Sequence, residues 1–328
     1  MDIYEPDNDT LSARPVIIFV HTGAFFSGNN ELDDVTTLSI AAAKRGYVAI
    51  SINYRLGLNV LSSYSGERAV FRAVQDGSAA IRYLKENPED FNIDPDNIFM
   101  WGSSAGAFMA LHLAYSEDSE RPESTYGSWG DPDLGCIDCS GNTFEHDSRP
   151  KSIISCWGAI GDLEWIDSDD EIPALLFHGT LDLVVPFNSG FPLLDIALPI
   201  VYGSNPIHSR LNEVGIENQL YFEEGELHEY WGTVNGNWFG GPNDYYYDIL
   251  DKSFTFLYNQ LDYSTVDYCN PLYDTNLDSE LNILDVIIVV NAILGLTELG
   301  CNIDYDNDSS VNILEVISMI NIILERND

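Results

Sequence analysis

Asn97-Ile98-Phe99-Met100-Trp101-Gly102-Ser103-Ser104-Ala105-Gly106-Ala107-Phe108-Met109-Ala110-Leu111-His112-Leu113-Ala114 is the stretch on which the fold turns. Residues 97–101 form a short apolar run bounded on both sides, the pattern of a buried strand. Residues 107–114 continue as an apolar, alanine-rich helix. Between them lies Gly102-Ser103-Ser104-Ala105-Gly106, a match to G-x-S-x-G. Such a strand-to-helix turn is sharp enough to lift the Ser104 hydroxyl above the sheet edge, and it leaves room only for small neighbours. The pattern alone is common by chance; its strand–turn–helix setting gives it mechanical meaning.

Working outward, three further segments fall at the ends of strand-like runs. His21-Thr22-Gly23-Ala24-Phe25 follows the apolar run 15–20 and is similar to the HGGG-type loop of lipases and esterases, departing from it at Thr22 and Ala24. In such a loop the backbone N–H groups of Gly23 and Ala24, with that of Ala105, are the candidate oxyanion donors, each worth about 3 kcal/mol in a transition state. A tight strand-end turn is the plain alternative. His178-Gly179-Thr180-Leu181-Asp182 follows the run 172–177 and offers Asp182 as the carboxylate that orients an imidazole. Asp162 is the runner-up, more in keeping with an Asx turn. His228 follows the run 219–222, and of the six histidines only it and His208 come after Asp182. His208 lies at helical spacing with Leu211, as a surface residue would, so His228 is the candidate general base.

Ser104, Asp182 and His228 thus stand in the chain order of the nucleophile-elbow hydrolases. The chain resembles the α/β-hydrolase carboxylesterases, bacterial feruloyl-esterase-like and hormone-sensitive-lipase-like members in particular. Residues 46–56 and Asn92-Ile93-Asp94-Pro95-Asp96-Asn97-Ile98 add to the likeness. The resemblance implies a serine esterase working through an acyl-enzyme, with a carbohydrate-linked feruloyl or acetyl ester as the leading substrate class. Polyesters and simple acyl esters stay open. The competing classes are a non-catalytic binding or adhesion protein on the same fold, against which an intact triad argues, and a peptidase.

The coarse order is strand 16–20, helix 36–45, strand 48–53, helix 67–86, strand 98–101 and helix 105–115. Strands near Ile153, Leu175 and Tyr221 follow, with a closing helix over 245–257. Such alternation predicts an α/β fold with a mostly parallel sheet flanked by helices. The resemblance further implies an antiparallel hairpin before residue 15, for which about a dozen residues are too few; an N-terminal hairpin is therefore expected to be missing. Two irregular segments, 116–149 and 230–241, are expected to shape the substrate entrance. In the second, aromatics either stack on a phenolic acyl group or sugar, or pack the loop. Phe25 and Phe26, beside the oxyanion loop, are candidates for the acyl pocket.

The last part of the chain carries a separate signal. Residues 274–285 and 304–315 repeat one another, with oxygen-bearing side chains at the ligand spacing of an EF-hand calcium loop. The candidate ligands are Asp274, Asn276, Asp278, Glu280, Asn282 and Asp285 in the first loop. Asp304, Asp306, Asp308, Ser310, Asn312 and Glu315 are their counterparts in the second. Ser279 and Ser309 replace the usual glycine at position 6. Each loop runs into an apolar helix-like stretch, 286–294 and 316–324. The tandem resembles a dockerin module, which implies structural Ca2+, a small all-α fold, and a cohesin-like or cell-surface partner. Ile283-Leu284 and Ile313-Leu314 follow the ligand asparagines, so no known partner specificity is carried over. Two acidic surface turns without metal are the plain alternative.

The expected domains are therefore 1–262, catalytic, and 263–328, calcium-binding. The small one is of a size that needs staples. With 53 acidic against 14 basic residues, a formal net charge of −39 argues against nucleic-acid binding and against anionic membrane surfaces. No run is long enough to span a membrane. Five cysteines fit an exported protein. Cys136-Ile137-Asp138-Cys139 is expected to hold a disulfide rather than a zinc ion, Cys269 and Cys301 to bridge the small module, and Cys156 to be an inert core thiol. A secreted or extracellular location follows as an expectation.

Overall fold

The computed structural model describes residues 1–6, 13–127, 130–261, 273–276, 281–297, 299, 301, 303–304 and 311–325. The chain divides into two compact units, Met1–Leu261 and Asp262–Asp328.

In the first unit the strands are β1 (Asp2–Tyr4), β2 (Arg14–Val20), β3 (Val48–Ile52), β4 (Ile93–Ser103), β5 (Ile153–Cys156) and β6 (Ala159–Ile160). They continue with β7 (Ala174–Gly179), β8 (Ser189–Gly190), β9 (Val201–Gly203), β10 (Asn218–Glu223), β11 (Thr233–Val234) and β12 (Asn237–Trp238). The helices are α1 (Asp33–Ala43), α2 (Ser63–Glu86), α3 (Ala105–Tyr115), α4 (Ser204–Val214) and α5 (Asp244–Asn259). One seven-stranded sheet runs in the order β1-β3-β2-β4-β5-β7-β10. All its pairings are parallel except that of β1 with β3. The exception is the short β1, which runs antiparallel and pairs Asp2 with Ser51 and Tyr4 with Ala49.

The apolar run of β2 explains its central place. Val16, Ile18 and Val20 point into one core and Ile17 and Phe19 into another, as a strand covered on both faces requires. The first core is closed by α2, α3 and α4, the second by α1 and α5. Every residue of α3 is buried, so it has no polar stripe and sits wholly inside the layer. The chain leaves β2 for β3 on one side and returns to β4 on the other. β2 and β4 thus flank the point where strand order reverses, where α/β sheets bind their ligands.

In the second unit, among the described residues, α6 (Ile283–Ile293) and α7 (Ile313–Glu325) pack around Val286, Val289, Val316 and Met319, with Tyr273, Leu281 and Ile303 completing a small core. Asn282 caps α6, its side chain accepting from the Leu284 amide while Asp285 reaches back to the Asn282 amide. No helix among the described residues is long and apolar enough to cross a membrane.

Candidate active site

Register brings the first two segments together. Val20 lies beside Gly102 in the β2–β4 ladder, so the chain leaving β2 at His21 runs next to the turn at Ser104. Ser104 has φ 52° and ψ −113°, a strained conformation for a residue with a side chain, and its amide donates to the Cys156 carbonyl at 2.9 Å. The flanking glycines are steric necessities. A Cβ on Gly106 would lie 2.1 Å from the Val20 carbonyl oxygen, and one on Gly102 would lie 2.2 Å from the Gly106 carbonyl.

β7 and β10 supply the other two groups. Gly179 pairs with Glu223 at the ends of these strands, and the loops beyond them carry Asp182 and His228. The Ser104 hydroxyl donates to His228 Nε2 at 2.9 Å, and His228 Nδ1 donates to Asp182 Oδ2 at 2.6 Å. The structure thus unites three side chains spread over 124 residues. Asp182 is buried, and its Oδ1 accepts from the amides of Val184 and Val185 at 2.8 and 2.9 Å. Burial opposes its ionisation, but hydrogen bonds from His178 and His228, with their charge interactions, outweigh that and hold the carboxyl well below the usual range. His228 is braced by Trp157, whose ring stands edge-on to it at 6.2 Å and whose Nε1 donates to Ser103 Oγ at 3.0 Å.

Of the candidate oxyanion donors, Ala24 and Ala105 border the cavity beside Ser104. Ala105 opens α3, and its N–H has no partner within the helix. Gly23 fixes the shape of the loop. Its φ is 121°, a Cβ there would meet the Ser27 carbonyl oxygen at 2.0 Å, and its own carbonyl accepts from the Phe26 and Ser27 amides. Ala24 and Phe25 follow with φ of 50° and 60°.

The cavity encloses about 290 Å³. Its walls are largely apolar: Phe25, Phe71, Val74, Phe108, Trp165 and Val185, with Glu67, Glu117, Glu120 and Arg121 as polar members. Arg121 is fixed by an ion pair with Asp133 and lies over the rings of Phe71 and Tyr126. His112 also lines the cavity. Its Nδ1 donates to the Phe108 carbonyl, and burial lowers its pKa to about 4, so the ring is neutral at ordinary pH.

Several expectations are refined. Phe25 lines the cavity but Phe26 does not. Among the described residues of the 116–149 segment, those reaching it lie within Ser116–Pro122; α2 and residues 184–201 supply much of the remaining wall. The 230–241 aromatics do not shape the entrance. Tyr230 and Trp231 are core residues, Trp238 packs on Tyr246, and Phe239 is 86% exposed. Asp162 borders the cavity but makes the Asx turn, accepting from the Glu164 amide. His208 binds Asn218 from α4, away from the triad. Cys136 and Cys139 are disulfide-bonded, and Cys156 is a buried free thiol. Sequence reasoning missed His178, Trp157 and Glu229, which support the site through long-range contacts that no local spacing signals.

For the candidate calcium ligands, Asp278, Glu280, Asp306, Asp308 and Ser310 lie outside the described residues, as does Cys269 of the expected Cys269–Cys301 bridge. Of the rest, Asp274, Asp285 and Glu315 are buried carboxylates. Asp285 accepts from the amides of Thr275 and Asn282 at 2.9 Å, and Glu315 from that of Asn312 at 2.7 Å. Asn276, Asn282, Asp304 and Asn312 stand at the loop ends. No group of three or more His, Cys, Asp or Glu close enough to hold a metal occurs among the described residues.

A parallel sheet with a strained serine at the end of β4, a carboxylate after β7 and a histidine after β10 defines an α/β-hydrolase fold bearing a Ser–His–Asp site. The BD-FAE family profile matches residues 1–153. Neuroligin-2 of Mus musculus is 34% identical over 118 residues, 35% of this chain and 14% of its own length. The para-nitrobenzyl esterase of Bacillus subtilis (strain 168) is 32% identical over 118 residues, 34% of this chain and 23% of its own. The matches therefore span less than a quarter of the length of these curated relatives. Among solved structures, Thermogutta terrifontis esterase 2 with propionate bound superposes with a TM-score of 0.56 at 21% identity, over 78% of this chain and 88% of that one. The same esterase phosphorylated by paraoxon gives 0.55 at 22% identity, over 78% and 87%. These structures share the fold.

Proposed function

We propose that this chain hydrolyses carboxylic esters through an acyl-enzyme on Ser104. The observation that carries the reading is the unbroken hydrogen-bond line from Ser104 Oγ through His228 to Asp182, at the mouth of an apolar cavity. Ser104 Oγ attacks the ester carbonyl while His228 Nε2 takes its proton, and Asp182 stabilises the imidazolium. The tetrahedral oxyanion is met by the N–H groups of Gly23, Ala24 and Ala105. His228 then returns the proton to the departing alcohol. Water, deprotonated by the same nitrogen, releases the acid.

The leading substrate class is a feruloyl or acetyl ester carried on polysaccharide, supported by a cavity of about 290 Å³ with Phe25, Phe108 and Trp165 in its wall. The second unit is a dockerin-like module that binds structural Ca2+ through its two loops and attaches the enzyme to a cohesin-like or cell-surface partner. Three observations support metal binding: an all-oxygen donor set, the spacing of the two loops, and three carboxylates buried in a unit this small. When bound, Ca2+ would be held by the carboxylates and amide oxygens of each loop and would neutralise the carboxylate charge. Secretion is supported by the Cys136–Cys139 disulfide.

The test is turnover of p-nitrophenyl acetate and of a feruloyl chromogenic ester by the intact protein and by Ser104→Ala. Turnover lost in a folded variant is the expected result. Turnover retained there would remove Ser104 from the mechanism, and an inactive, folded intact protein would remove the esterase reading.

A further inference from the structure

We propose that Glu229 is a positioning residue that locks the base loop to the oxyanion loop; the proposal rests on the ester-hydrolysis reading above. Glu229 directly follows His228, is buried, and holds φ at 52°, a left-handed conformation that costs a residue with a side chain about 1–2 kcal/mol. Its carboxylate is fully engaged. Oε1 accepts from Thr22 Oγ1 at 2.8 Å; Oε2 accepts from Thr233 Oγ1 at 2.9 Å and from the Gly236 amide at 3.0 Å.

Thr22 is the residue before Gly23 and Ala24, so one hydrogen bond spans 207 residues and joins the two loops that must act together. The other side of the carboxylate reaches the base a second way. Thr233 Oγ1 accepts from Trp231 Nε1 at 2.6 Å, Trp231 stands perpendicular to Trp157 at 4.7 Å, and Trp157 faces His228. Gly236 completes the clamp. Its φ is 78°, and a Cβ there would lie 2.6 Å from Leu32 Cδ1 and 3.0 Å from Thr22 Cγ2. Asp34 adjoins it, its amide donating to the Gly236 carbonyl; burial, followed by the nearby Glu229 carboxylate, pushes the Asp34 carboxyl well up. A carboxylate that needed only to be satisfied could sit anywhere in the core. This one stands next to the base and grips the residue before the oxyanion donors.

The experiment compares wild type, Glu229→Gln, Thr22→Val and the double variant. Steady-state p-nitrophenyl acetate kinetics are paired with the affinity for an alkyl boronic acid, which forms a tetrahedral adduct on Ser104. Displacing both loops slightly should lower kcat about 10- to 100-fold in Glu229→Gln, with KM within threefold and boronate affinity falling in step. The double variant should lose no more than the worse single one, because both remove one link. If Glu229→Gln does not fold, Thr22→Val carries the test and must lower kcat at least threefold. A folded variant with kcat within threefold of wild type, or additive losses, overturns the proposal. Should wild type prove inactive, the esterase reading fails separately. The clamp is then read from the low-field Nδ1–H proton of His228 by NMR, which Thr22→Val must shift or broaden; an unmoved signal overturns it.

Discussion

Asp182→Asn separates this site's own wiring from the general behaviour of a triad. Asp182 Oδ2 accepts from His228 Nδ1 at 2.6 Å and lies 3.4 Å from His178 Nε2. His178 Nε2 also faces the Val185 carbonyl at 3.0 Å, and a carbonyl only accepts, so that nitrogen carries a hydrogen. Its Nδ1 correspondingly accepts from Ser204 Oγ at 2.8 Å. An asparagine whose amide nitrogen faces the imidazoles forces His228 Nδ1 to accept. The ring proton then moves to Nε2, which can no longer receive one from Ser104. The expected loss is about 10⁴-fold in kcat, or about 5.5 kcal/mol of transition-state stabilisation. In this protein the same amide also confronts the His178 Nε2–H, and turning it over instead confronts the amides of Val184 and Val185. Either orientation leaves buried donors unmatched at a cost of about 1–3 kcal/mol. Burst kinetics with p-nitrophenyl acetate and a thermal melt read both effects. Turnover within tenfold of wild type, or a melting temperature unchanged, would refute the assigned tautomers and the place of Asp182 beside the base.

Three further outcomes are expected. Gly106→Ala sets a Cβ 2.1 Å from the Val20 carbonyl oxygen, a main-chain atom of the central sheet, so it should lower the melting temperature by more than about 5 °C and abolish turnover. His112 binds a proton more readily unfolded than folded, where burial lowers its pKa to about 4. Its neutral form stabilises the fold fully above pH ~6.5, and about 3 kcal/mol is lost as pH falls from there to 4; urea unfolding at both ends should show a smaller loss in His112→Gln. Ca2+ at a hundredfold its Kd should stabilise the second unit by about 2.7 kcal/mol, with chelation reversing the shift and Glu315→Gln weakening binding. Calorimetry that shows neither heat nor a shift would leave the loops as plain acidic turns.

The parts of this molecule legible in sequence are those fixed by short-range sterics and apolar runs. The turn at Ser104 announces itself because Gly102 and Gly106 have no room for a Cβ. β2 and β7 announce themselves because strands buried on both faces leave continuous apolar runs. Asp182 and His228 are found because each lies just past such a run. What local pattern does not carry is pairing across the sheet. The Thr22–Glu229 bond, the second imidazole on Asp182 and the cavity wall supplied by α2 depend on strand register and on helix placement. The two readings of the 230–241 aromatics stay open in the sequence for the same reason: Trp231 looks like a loop aromatic, and the closing of α5 over the sheet makes it core.

His228 hangs from β10, the outermost strand of the sheet, paired on one side only, with β7. No residue of β10 is fully buried, whereas every residue of β7 is. Edge strands with few buried contacts open at a fraction of the global free energy. His228 is therefore mounted at the edge of the sheet, while Ser104 sits at its centre. On the ester-hydrolysis reading, warming or mild denaturant should silence turnover reversibly while the bulk of the fluorescence and circular dichroism stays native, and recovery on cooling needs only one strand to re-zip.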